Sequence, residues 1–329
     1  MLNPDAKLSA KVFADDIEKA ATRDGFGTGV VEAGKADPRV VVLCADLKES
    51  TRAEEFEKVF PERFIEMGVA EQNMATVGSG MAAAGKIPFI ASYAAFNPGR
   101  NYEQIRTTIA LNRVAVKICG MHAGVSVGPD GATHQMLEDI GLMRMLPNMT
   151  VIAAGDAEEA RKAVVAAAQT DGPVYLRFGR AATPIFTTKD TPFMIGKALA
   201  LWSSDAPKVA ILSTGSLSYA ALVAASALAE KGVESIVLHI PTVKPLDEAT
   251  VLEAATRARR VLTVEEHQAA GGFGSAIAEF LSERHPVPLK RLGVQDQFGQ
   301  SGSPEELLAH YGLDAAHIAE AAHALISIS

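Results

Sequence analysis

Short runs of consecutive apolar residues alternate along this chain with segments whose apolar positions recur every three or four residues. "RVVVLCADL", "IPFIASY", "VAVKICGMH", "MTVIAAG" and "GPVYLRFG" are of the first kind. They are short, largely apolar and rich in β-branched residues, as expected of parallel strands covered on both faces. Between them, "GVAEQNMATVGSGMAAAG", "NYEQIRTTIAL", "QMLEDIGLMRML" and "DAEEARKAVVAAAQ" read as helices, the last with Asp156 at its N-cap. Upstream, "AKVFADDIEKAATRDGFGTGVVEAGKA" carries apolar residues at helical spacing. Strands alternating with helices predict a parallel sheet with helices on both sides.

The alternation breaks at "RAATPIFTTKDTPFMIGKALALW", where threonines and prolines replace it. It then resumes through "VAILSTGS", "ESIVLHIP" and "RRVLTVEEH", with helical segments between and after them. The reading is α/β throughout: a first domain over 1–185, a linker over 186–200 and a smaller α/β domain over 201–329.

Composition narrows the function classes. The chain has 329 residues, 48% of them hydrophobic, enough for two buried cores. Its net charge of −8 is spread without long like-charged blocks, so nucleic acid and anionic membrane are not expected partners. A local basic pocket for a small anion stays open. Cys44 and Cys119 lie in apolar strands and are not expected to pair, which fits a reducing cytoplasm. No apolar signal core opens the chain, and no apolar run approaches the roughly 18 residues of a membrane span.

"HAGVSVGPDGATHQ", residues 122–135, has neither helical nor strand period and holds two histidines and an aspartate. It follows the strand "VAVKIC", and α/β folds gather ligands at the carboxyl ends of strands. Gly124, Gly128 and Gly131 let its backbone approach a substrate closely. His122, Asp130 and His134 therefore stand where such a fold places chemistry. An incidental glycine-rich turn is the bland alternative.

"RFIEMGVAEQNM", "GPDGATHQ" and "LRFGR", in this order and at these separations, resemble the pyrimidine-binding domain of thiamine-diphosphate enzymes, transketolases above all. "VLTVEEHQAAGGFGSAIAEFL" resembles the transketolase C-terminal domain. The likeness runs from about Ala20 to about Ala322. The family binds the cofactor's diphosphate through Mg2+ or Ca2+ on a Gly-Asp-Gly motif, which this sequence lacks. The resemblance therefore implies the C-terminal subunit of a split transketolase. Thiamine diphosphate would lie between this chain and an N-terminal partner that supplies the metal ligands. It further implies a dimer of heterodimers, inactive without the partner, that moves a two-carbon ketol unit between sugar phosphates.

The resemblance also implies roles. Glu71 would bind N1′ of the aminopyrimidine and favour its imino tautomer, while the cofactor carries the hard chemistry. Tyr93 and Phe96 would flank the pyrimidine ring. Tyr93 stands where the family usually has Phe, and Gly99 falls near a position that is often aromatic. Asp46 would line the cofactor site. His122, Asp130 and His134 would bind and protonate or deprotonate the sugar oxygens. Arg23, Ser50 and Arg180 would take the sugar phosphate, with Arg177 a rival to Arg180. His267 receives no role. Gly271, Gly272 and Gly274 form only part of a dinucleotide-binding pattern.

Three rivals share parts of this pattern. 1-Deoxyxylulose-5-phosphate synthase shares "EQNM" and the aspartate-to-THQ spacing, but the His122 position and the split length favour transketolase. A 2-oxo-acid dehydrogenase beta subunit is disfavoured by the Asp130–His134 spacing and by Arg180. A degenerate scaffold subunit is disfavoured by intact Glu71, Asp130 and His134.

Overall fold

A computed structural model describes residues 1–327. Seven strands form the first sheet, in the order Thr242–Lys244, Thr150–Ala153, Val174–Arg177, Lys117–Met121, Ile87–Tyr93, Val40–Cys44 and Phe64–Glu66. All neighbouring pairs are parallel except the edge strand Thr242–Lys244, which runs antiparallel to Thr150–Ala153. Val40–Cys44 and Lys117–Met121 are buried along their whole length, which is why the first reads as an unbroken apolar run; the buried Lys117 of the second donates through Nζ to the Thr170 and Gly172 carbonyls. The second sheet orders Leu289–Val294, Val261–Gln268, Val209–Ser213, Ser235–His239 and Leu199–Trp202, with only the last antiparallel.

Alternation along one strand shows how the second sheet is covered. Val209 and Ile211 meet the helices Leu217–Glu230 and Ala315–Ile326. Ala210 and Leu212 point the other way, into a core shared with the helices Glu248–Ala258 and Phe273–Arg284. That core runs on without a break into Val41, Leu43 and Ile90 of the first sheet. Two further links cross between the units. Thr242–Lys244 extends the first sheet from within the second sequence unit, and Asn3 donates its backbone N–H to Leu201 at 3.0 Å.

The N-terminal segment differs from its expected helix. Residues 10–18 form turns, Lys19–Ala21 pairs as a strand with Ala182–Pro184, and the helix spans only Thr22–Ala36. Its start is set by Asp24, whose carboxylate accepts the Ala21 N–H at 3.1 Å. A reading by periodicity alone does not see that bond.

Four adjacent strands, Val40–Cys44, Ile87–Tyr93, Lys117–Met121 and Val174–Arg177, end on one edge of the first sheet. Ser50, Tyr93, His122 and Arg180 lie at or just beyond those ends. The parallel topology thus gathers residues separated by up to 130 positions, from Ser50 to Arg180.

Candidate active site

Glu71 opens the helix Glu71–Ala83 and is 1% exposed. A buried carboxylate needs compensation. Arg100 donates to Oε2 at 2.6 Å, and the Ser92 hydroxyl donates to Oε1 at 3.2 Å. Asn101 Nδ2 holds the Glu71 carbonyl at 3.1 Å. The Arg100 guanidinium also lies 4.4 Å from the Phe96 ring centroid, so one cation joins the carboxylate to an aromatic face. Sequence reasoning assigned nothing to Arg100. Its only signal was a basic residue one turn past Phe96, in "FNPGR". Gly99, expected as a gap in the aromatic set, has a packing cause: a Cβ there would sit 2.2 Å from the Ala95 carbonyl oxygen.

Next to this carboxylate–aromatic group lies a second cluster. Tyr93 stacks on His122 with centroids 4.0 Å apart, and its hydroxyl donates to Ser50 Oγ at 3.0 Å. The hydroxyl that distinguishes Tyr93 from phenylalanine thus fixes a candidate phosphate-binding serine. Arg23 donates through one nitrogen to the Ser50 carbonyl at 2.8 Å and to His122 Nε2 at 3.3 Å. A guanidinium can only donate, so Nε2 accepts and the proton of the neutral ring sits on Nδ1. Burial first, then Arg23 and Arg180, push the His122 pKa down to about 3, so the ring is neutral at physiological pH. Burial, reinforced by Arg52, also lowers the pKa of Arg23. His122 Nδ1 and Arg23 Nε are both buried without a hydrogen-bond partner. Two unanswered buried donors beside a serine hydroxyl define a place for acceptor oxygens.

Arg52 is a second residue missed from sequence. It pairs with Asp24 at 2.7 Å and adds positive charge beside Arg23 and His122. Arg180 closes the far side, donating to Asp130 at 3.2 Å and to the Val127 carbonyl at 3.2 Å. His134 packs roughly perpendicular to Phe96 and Tyr93, with ring centroids 5.6 and 6.0 Å away. Arg177 is withdrawn from any ligand role: it is buried and paired with Asp139 at 2.7 Å. Asp46 is exposed at the same sheet edge, and among the described residues no hydrogen bond or ion pair ties its carboxylate to the cluster.

His267 is buried, and burial lowers its pKa. It accepts the Gly141 N–H at 3.2 Å and so braces the second unit against the first. The glycine-rich start of Phe273–Arg284 is already filled, because Glu265 accepts the Phe273 and Gly274 N–H groups at 2.6 and 2.7 Å. A cofactor phosphate would need those same amides.

The buried carboxylate and the aromatic faces are of the kind that fit the pyrimidine end of thiamine diphosphate. The comparisons agree with this fold. The chain belongs to the transketolase family. It matches the model of the transketolase pyrimidine-binding domain over residues 18–185 and that of the transketolase C-terminal domain over 196–318. It is 42% identical to the putative transketolase C-terminal section of Methanocaldococcus jannaschii, over 91% of this chain and 94% of that protein. A 6-deoxy-6-sulfo-D-fructose transketolase subunit of a Clostridium species is 39% identical over 94% of this chain and 96% of its own length. A split-gene transketolase, solved as an inactive β4 tetramer, superimposes with a TM-score of 0.87 at 42% identity, covering 94% of this chain and 99% of that one.

Proposed function

We propose that this chain is the catalytic C-terminal subunit of a two-chain transketolase, moving a two-carbon ketol unit from a ketose phosphate to an aldose phosphate. The carrying observation is the paired arrangement at one sheet edge: buried Glu71 joined through Arg100 to the Phe96 ring, and His122 with Arg23 holding unanswered donors next to Ser50. Relatives of matching length named as a C-terminal section, a subunit and a split-gene product support a partner chain. That partner would hold the diphosphate with Mg2+ or Ca2+, and two copies of each chain would assemble into a heterotetramer in the cytoplasm.

Thiamine diphosphate supplies the carbanion-type chemistry when bound. The residues of this chain perform the rest. Glu71 holds a proton-sharing contact at the pyrimidine ring, and Arg100 and Ser92 keep its two oxygens oriented. Phe96 and Tyr93 offer flat faces and exclude water. Neutral His122 donates from Nδ1 to a sugar oxygen, and His134 moves protons at the oxygens of the transferred two-carbon unit. Asp130 accepts from sugar hydroxyls. Arg23, Arg180 and Ser50 take the phosphate, where guanidinium forks match its oxygens.

The test is ketol transfer from xylulose 5-phosphate to ribose 5-phosphate, assayed with this chain alone and with the partner subunit, thiamine diphosphate and Mg2+ present. Transfer is expected only in the mixture, and Glu71→Ala should abolish it. Transfer by this chain alone, or near-normal turnover of the variant, would overturn the reading.

A further inference from the structure

The loop that carries His122, Asp130 and His134 rests on its own domain through Arg23, Tyr93 and Arg180, and on the second unit as well. The strand Val261–Gln268 of the second sheet ends beneath it. There Glu266, 5% exposed, accepts the Ser126 backbone N–H on Oε1 at 2.6 Å. Ser126 lies midway between His122 and Asp130. Gly124 permits the contact: its φ is +89°, and a Cβ there would fall 2.3 Å from Glu266 Oε1. Arg177 holds Glu266 from behind, donating to its carbonyl oxygen at 2.7 Å. The other end of the loop is tied to the same unit. Gln135 Nε2 donates to Val125 O at 3.0 Å and to Gln300 O at 3.0 Å, fastening the loop to itself and to the segment after Leu289–Val294.

We propose that Glu266 is a positioning residue: through Ser126 its carboxylate sets the height and tilt of the loop, and with them the placement of His122, Asp130 and His134 against the sugar. The C-terminal domain then acts as the base plate of the substrate loop, a role beyond subunit contacts. The inference rests on the transketolase reading of that loop. It also separates two functions in space. Glu71 is anchored by Arg100, Ser92 and Asn101, whereas Glu266 is bonded to Ser126 and Arg177. Cofactor binding should therefore be indifferent to Glu266, and sugar handling should depend on it.

Glu266→Gln keeps an oxygen that accepts the Ser126 N–H, and Glu266→Ala removes it. In the reconstituted complex, Glu266→Ala should raise the KM for the donor ketose about tenfold and lower kcat, while thiamine diphosphate affinity stays within about twofold. Glu266→Gln should remain within about threefold of the parent in every constant. Hydrogen exchange on the isolated chain gives a readout that needs no activity. Amides of residues 124–128 should exchange about tenfold faster in Glu266→Ala, with the helix Glu71–Ala83 unchanged and Glu266→Gln like the parent. Glu266→Asp, whose shorter arm does not reach Ser126, provides the same test should the alanine variant fail to fold. Unchanged loop exchange, equal losses in the Gln and Ala variants, or a parallel loss of cofactor affinity would overturn the proposal. Absence of ketol transfer in the parent complex would instead overturn the functional reading, and the exchange experiment would still decide whether Glu266 positions the loop.

Discussion

Two glycine-rich segments of this protein look alike in sequence and do opposite things. Residues 122–135 and "GGFG" at 271–274 each follow a buried strand, and each bares backbone amides. In the second, Glu265 reaches over the helix start and takes the Phe273 and Gly274 N–H groups. The cradle is closed by the protein's own carboxylate, whose pKa burial raises to about 7. In the first, Glu266 takes one amide from below, and the loop turns its polar side chains toward the sheet edge, where His122 Nδ1 stays unpartnered. Adjacent glutamates on one strand thus complete one segment and expose the other, because successive strand residues point to opposite faces. A glycine-rich loop becomes informative only once it is known which group answers its amides.

Variants in the two segments should separate activity from stability. The largest effect belongs to the open loop. His134→Ala should reduce ketol transfer by about 10²–10⁴-fold with little change in melting temperature, as loss of a positioned proton carrier does. A stability loss in proportion to the activity loss would place His134 in the framework instead. Glu265→Ala should do the reverse, costing about 3 kcal/mol by denaturant unfolding because two buried amides lose their acceptor. Any protein that folds should keep its KM for sugar phosphates. A specific KM defect would reopen the second segment as a ligand site.

The third prediction concerns pH. His122 is held at about 3 in the folded chain, well below the value near 6.5 of a free imidazole. Between those values the unfolded chain binds a proton that the folded chain refuses, so stability falls as pH drops below about 6.5. Comparing pH 7 with pH 5, this site should account for about 2 kcal/mol of the loss. His122→Asn should flatten the slope of unfolding free energy against pH by that amount, and an unchanged slope would refute the neutral buried ring. The smallest expected effect is at the pocket rim, where Arg180→Ala should raise KM about tenfold for phosphorylated donors and less for unphosphorylated ones. Equal effects would remove Arg180 from phosphate binding and leave it only as the partner of Asp130.

Much of this was legible in the chain itself. Fully apolar runs such as Val40–Cys44 are what a strand buried on both faces requires, and their shortness and β-branched content favour strand over helix. The order of "GVAEQNM", "GPDGATHQ" and "LRFGR" pointed to the family and to a single loop. Legibility ended where partners are distant in sequence. Arg100 compensates Glu71 from 29 positions away, and Glu266 supports Ser126 from 140 away. The helix beginning at Thr22 eluded periodicity because a hydrogen bond from Ala21 to Asp24 decides it.

By itself, the sequence determined the α/β class, the alternation of elements and the residue types available for chemistry, because hydrophobic periodicity and local motifs are properties of neighbouring residues. Only the tertiary structure decided which arginine faces the loop and which is spent on Asp139, which glycine-rich segment is filled, and that the C-terminal domain underlies the 122–135 loop. Each of those depends on where a charge is left without a partner, and that balance is settled only when separate strands are packed side by side.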